Sequence, residues 1–178
     1  MVGASLLPAV LLAARAQATL MRGLPLRALC NQSRHIVRAR ALAARCSSSP
    51  IGGRAMIVTE TRLRVEEALS KLAPSGSEIT VRTLGGVLDG VGELVQGQAE
   101  LSLDRSCLLF LTQAADGALW VTGMAQGHYP LTAGGPEPTL AASPHLPALR
   151  DFAHSAVRGL VGQSLSHARA VIARESAP

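Results

Sequence analysis

Three cysteines and five histidines have the widest chemical reach in this 178-residue chain. Cys107 stands in Ser106-Cys107-Leu108-Leu109-Phe110-Leu111, a continuous apolar run. That setting suits a small buried thiol better than a nucleophile. Cys30 and Cys46 could close a short disulfide loop worth about 3 kcal/mol on the chain-entropy model; two unrelated thiols fit the spacing equally well. No pair among His35, His128, His145, His154 and His167 stands at i, i+4, so no metal site is expected. His128 beside Tyr129, in a glycine-rich hairpin, has the setting best suited to binding, although a structural role outweighs catalysis there. Residues 84–98 carry five glycines but neither the Gly-Lys-Ser/Thr ending of a phosphate loop nor the third glycine of a dinucleotide site, so they imply turns and no cofactor. No catalytic residue is assigned.

The remaining candidate surface is cationic. On a strand, Arg38 and Arg40 point the same way about 7 Å apart, and Arg62 and Arg64 extend that face if the next strand pairs with it. Such a face fits an anionic polymer or an acidic protein. A solvated outer face partly neutralised by Glu60 and Glu66 is the competing reading.

These residues sit in a chain of one domain's size, 18.4 kDa, 48% hydrophobic and 16% charged, which implies a packed body. Trp120, Tyr129, Phe110 and Phe152 are the only aromatics, too few for a base-stacking platform, so no nucleic acid is expected as partner. Charge is uneven: residues 1–59 hold eight arginines and no acid, while the rest hold nine Lys and Arg against twelve Asp and Glu. Residues 5–14 are apolar and about the length of a signal-peptide core, too short to span a bilayer. Ala16-Gln17-Ala18 supplies a small-residue cleavage site. Residues 1–18 therefore read as a signal peptide and the destination as extracytoplasmic, periplasmic or secreted. The acid-free, arginine-bearing stretch that follows keeps an organellar transit peptide as the alternative.

Beyond the leader, period-two alternation marks Ile36–Ala44, with Val37, Ala39, Ala41 and Ala43 on one side, and Met56–Ala68, with Ile57, Thr59, Thr61, Leu63 and Val65 on one side. Ser47–Pro50 with Gly52-Gly53 reads as a loop. Ile79–Thr83, Leu101–Leu103, Cys107–Leu111, Ala118–Met124 and His128–Leu131 follow as strands, and Asp116-Gly117 is a hairpin signal. A Pro/Gly-rich linker is expected over 133–147. One amphipathic helix is expected over 148–175, weakened by Gly159 and Gly162. The rhythm of short strands over 19–132 predicts a mainly β fold, a small antiparallel sheet or closed barrel with a C-terminal α-helix.

Leu84-Gly85-Gly86, Gly90, Val95, Gly97, Phe110-Leu111 and Gly123–Tyr129 together resemble a group of small exported bacterial proteins of uncharacterised activity, with a GG…FL…VGxxQGKF-like pattern. The match runs from Thr19 to Leu131, with Asp104-Arg105 where Gly-Glu is usual and His128 in place of Lys. The strand order also resembles the OB-type barrel of netrin-like domains and of tissue inhibitors of metalloproteinases, in architecture only, since their amino-terminal cysteine has no counterpart at Thr19. The resemblance implies an OB-like barrel and an exported location, but no reaction. The leading expectation is a non-enzymatic binding or inhibitory module. The alternatives are a hydrolase or redox enzyme using Cys107 or His128, or an OB-type nucleic-acid-binding domain.

Overall fold

A computed structural model of the chain describes residues 20–69 and 74–176; the expected signal peptide lies outside them. The chain enters through β1 (Met21–Arg22) and α1 (Leu26–Gln32), then forms the long strands β2 (His35–Ile51) and β3 (Arg54–Ala68) and the shorter β4 (Glu78–Leu84). A small hairpin follows, β5 (Gly86–Leu88) and β6 (Val91–Glu93), and then β7 (Ser106–Gln113), β8 (Leu119–Val121), β9 (His128–Thr132) and β10 (Thr139–Leu140). The chain closes with β11 (Leu149–Arg150) and two helices, α2 (Ala156–Leu160) and α3 (Leu165–Glu175). The protein is mainly β with a C-terminal helix. No helix of the described residues is long and apolar enough to cross a membrane.

The principal sheet is ring-like. Its order is β10-β9-β7-β2-β3-β4-β8, and β8 pairs back onto β7, so β7, β2, β3, β4 and β8 follow one another round a circuit. All contacts in the circuit are antiparallel except β4 with β8, which is parallel. Two register shifts in the β2–β3 pair, at Arg38/Ala39 and Ala41/Ala43, bend the ribbon, as bulges do. Ala39 and Ala41 lie inside the bend at 0% and 1% exposure, where larger side chains would hold the sheet open. The second shift moves Ala43 opposite Arg62 and brings Ala44 opposite Thr61, so the alternation expected through Ala43 changes phase at Leu42.

The expected hairpin at Asp116-Gly117 is present, with Gly117 at φ +84° and the Asp116 carboxylate accepting from the Ala118 amide. Three expectations are corrected. Ser47–Pro50 is strand, not loop: Gly52 and Gly53 both take positive φ, forming the two-residue turn that matches strand twist. Ser47–Pro50 pairs only with β3 there, so Pro50 interrupts no second ladder. Leu101–Leu103 is not a strand, and the chain from Leu94 to Arg105 is irregular. The single helix expected over 148–175 is divided, because Gly162 turns left-handed at φ +80° between α2 and α3. Part of the expected linker is tied down as well, since β10 pairs with β9.

Strand β7 explains how these layers hold together. Cys107, Leu109 and Leu111 face the ring interior with Val37, Ala39, Leu63, Val65, Val81 and Val121. Leu108 and Phe110 face the other way, into a second core with Leu29, Tyr129, Leu140, Leu160, Leu165 and Ile172. A strand buried on both faces needs an unbroken apolar run, which is what its sequence shows. The Phe110 and Tyr129 rings meet edge to face with centroids 6.0 Å apart. Gln126, 2% exposed, accepts from the Leu24 amide and donates to the Arg22 carbonyl, fixing the path by which the chain enters the second core.

Candidate functional site

The ring interior changes character along its axis. On β3 the inward row runs Val65, Leu63, Thr61, Thr59, and on β4 it runs Ile79, Val81, Thr83, with Thr59 and Thr83 opposite one another. At the threonine end the chain leaves β4 through Gly85 and Gly86 and folds the β5–β6 hairpin against the β2–β3 ribbon. Both glycines have positive φ, +93° and +133°. A Cβ at Gly86 would stand 2.5 Å from Thr59 Oγ1 and 2.7 Å from Cys46 Sγ.

Three hydrogen bonds hold that position. Thr59 Oγ1 donates to the Gly85 carbonyl at 2.6 Å, the Gly85 amide donates to the Ile57 carbonyl at 2.7 Å, and the Ile57 amide donates to Glu93 Oε2 at 2.7 Å. Glu93 thus closes the hairpin back onto β3 through a charge-assisted bond.

Between the hairpin, the strand ends and residues 94–101 lies a cleft of about 550 Å³. Leu84, Val87, Leu94, Val95, Ala99 and Leu101 give it apolar walls. Thr61 and Thr83 lie in its lining at 1% and 6% exposure, and neither hydroxyl has a hydrogen-bond partner among the described residues. Neither hydroxyl oxygen is among the buried unpartnered polar atoms of the described residues, so both stay accessible from the cleft and give it a polar floor available to a ligand. His145 Nε2 meets Glu100 Oε2 at 2.7 Å at the rim. Val87, Val91 and Leu94 of the hairpin and its exit are 66%, 64% and 70% exposed.

The arginine face expected from the sequence is present and paired with acids. Arg38 and Arg40 contact Glu66 at 3.2 and 3.0 Å, and Arg62 and Arg64 contact Glu78 at 3.7 and 3.5 Å. The first register shift sets Glu66 and Glu67 side by side near Arg38, a neutralisation larger than the one expected from Glu60 and Glu66. Glu60 itself pairs with Arg82.

Cys30 and Cys46 are free thiols, not a disulfide. Cys30 is buried in the helix-packed core, whereas Cys46 lies 3.3 Å from Thr59 Oγ1 on the ribbon, on the opposite side of the sheet. Burial pushes the Cys30 thiol up from its ordinary value.

Cys107 and His128 line one crevice of about 260 Å³. Burial, with the Glu66 charge second, pushes the Cys107 thiol up to about 12. Burial also lowers His128 to about 4, with Ser143 Oγ 2.9 Å from its Nδ1. Both groups are held neutral, the reverse of a thiolate–imidazolium pair. Tyr129 is 1% exposed in the second core and presents no binding surface.

The threonine cleft is the feature that reading along the chain did not bring out. Its signal was present in the inward Thr59-x-Thr61 row and the glycine density after Thr83, but nothing local joins the two. Comparisons of the chain with protein-family models and with curated proteins find no match. Fold and site together define a mainly β protein with a ring-like sheet, a helical layer on its outside and a hydroxyl-floored cleft at one end.

Proposed function

We propose that the chain is an exported, non-enzymatic binding module of the OB type whose ligand occupies the threonine-floored cleft. The circuit β2-β3-β4-β8-β7, with its single parallel contact between β4 and β8, supports that reading, the OB fold being a five-stranded, partly open Greek-key barrel that binds ligands through loops and strand faces. The observation that carries the reading is the pair of hydroxyls of Thr61 and Thr83, two otherwise buried residues, which make no hydrogen bond among the described residues and stay accessible from an open cleft. The cleft's size and its mostly apolar walls with a few convergent polar groups suit a small-molecule or side-chain ligand.

An enzymatic reading through Cys107 or His128 is weakened by the neutral state of both groups. A nucleic-acid reading is weakened by a cleft lining that, among the described residues, holds Glu93 and Glu100 and no Phe, Tyr or Trp. Export is supported by the apolar run and Ala16-Gln17-Ala18 of the sequence; a mature chain whose measured mass begins at Thr19 would bear it out, and one retaining residues 1–18 would exclude it.

Amide NMR with 1-hexanol tests the cleft. Saturable shifts are expected at Thr59–Thr61, Thr83–Gly86 and Gln98; shifts scattered over the surface would exclude a binding site there. The near-isosteric changes Thr61→Val and Thr83→Val should each weaken hexanol binding severalfold. Because neither hydroxyl makes a hydrogen bond within the described residues, the changes should shift stability by less than about 1 kcal/mol. A stability loss beyond 1 kcal/mol would instead give the hydroxyls a structural role.

A further inference from the structure

We infer that the ligand of this cleft is an amphiphilic cation, an apolar body ending in an ammonium group; the inference rests on the cleft being the binding site. Although the chain carries a net charge of +5, the cleft lining among the described residues contains two carboxylates, Glu93 and Glu100, and no lysine or arginine. The one basic group in the lining among the described residues is His145, whose Nε2 meets Glu100 Oε2; Glu100 Oε1 makes no hydrogen bond among the described residues, and the carboxylate is exposed at the rim. Glu93 uses Oε2 on the Ile57 amide and still contributes its charge to the wall.

The remaining polar groups point the same way. An ammonium carries three N–H donors and no acceptor, and it needs partners that accept. The free Thr61 and Thr83 hydroxyls accept, as does the side-chain carbonyl of Gln98, which also has no partner among the described residues. The apolar walls from Leu84 to Leu101 would cover an alkyl body. No Phe, Tyr or Trp lines the cleft among the described residues, so selection between cation and anion falls to the carboxylates and not to the faces of such rings.

The test compares hexylammonium, 1-hexanol and hexanoate, equal in chain length, by amide NMR titration of the full-length protein at low salt. Hexylammonium should bind about fivefold tighter than hexanol and hexanoate should bind weakest, the size expected of partly screened carboxylates. The exposed change Glu100→Gln should cut the cation's advantage over hexanol by about threefold, and 0.5 M salt should do the same. Equal binding of hexanol and hexylammonium, or tightest binding of hexanoate, overturns the cation and leaves the cleft standing. No saturable binding of any of the three overturns the cleft itself. Acetyl-Leu-Lys-Leu-amide separates two sources of the same chemistry: tighter binding than hexylammonium assigns the cation to a lysine of a protein segment, weaker binding to a free amine.

Discussion

Gly86→Val should lower unfolding stability by about 3–4 kcal/mol and abolish hexanol binding in the cleft. Two separate penalties produce that loss. The backbone at Gly86 sits at φ +133°, a region essentially closed to residues with a Cβ. The new Cβ would also meet Thr59 Oγ1 at 2.5 Å and Cys46 Sγ at 2.7 Å, contacts the paired ribbon has little freedom to relieve. The Thr59 hydroxyl cannot simply swing away, because it donates to the Gly85 carbonyl. Chemical denaturation reads the global loss, and hydrogen exchange across Gly85–Glu93 reads whether the hairpin has lifted from β3. Gly86→Ala should show most of the effect, since both penalties belong to the Cβ, and adding Cys46→Ala should restore part of it by clearing the sulfur while the backbone strain remains. A Gly86→Val protein of native stability that still binds hexanol would mean that the hairpin does not shape the cleft.

The second large effect is a fall in stability between about pH 6.5 and pH 4. His128 is 2% exposed, and burial lowers its folded pKa from 6.5 to about 4. Across that window the unfolded chain holds a proton that the folded chain refuses. Stability is therefore complete above pH 6.5 and is lost as acid is added, until the folded imidazole itself protonates near pH 4. The full loss corresponds to roughly 3 kcal/mol. His35 is also lowered, by burial and then by Arg34, and adds in the same direction. Urea midpoints measured at pH 7, 6 and 5 should decline for the native sequence and flatten for His128→Gln, whose side chain can still reach Ser143 without titrating. An equal decline in that variant would assign the acid sensitivity to other groups.

Much of the architecture was legible along the chain because strands carry their pattern locally. The inward rows of β3 and β4 and the Asp116-Gly117 turn each depend on residues within a few positions of one another. Where one extra residue enters a ladder, that pattern fails: the shift between Ala41 and Ala43 reverses the face of every later β2 residue, and no residue type marks it. The helical segment erred for a related reason. Its apolar spacing over 149–172 is real, and Leu160, Leu165 and Ile172 all reach the second core, but they do so from two helices separated by a left-handed Gly162. The expected Arg38–Arg64 face also met partners, Glu66 and Glu78, that only strand pairing could bring alongside.

The sequence by itself determined the mainly β character, the acid-free front of the chain, the paucity of aromatic rings and the doubly buried β7 run. All of these follow from residue type and short-range period. Tertiary structure alone decided the circuit of strands, the separation of Cys30 from Cys46 and the cleft. Thr59 and Thr61 gain chemical meaning when β4 delivers Thr83 beside them and the Gly85-Gly86 turn carries the hairpin over the ring's end. Whether a threonine hydroxyl is satisfied depends on what lies within hydrogen-bond reach of it, and for Thr61 and Thr83 that is set by residues remote in the chain.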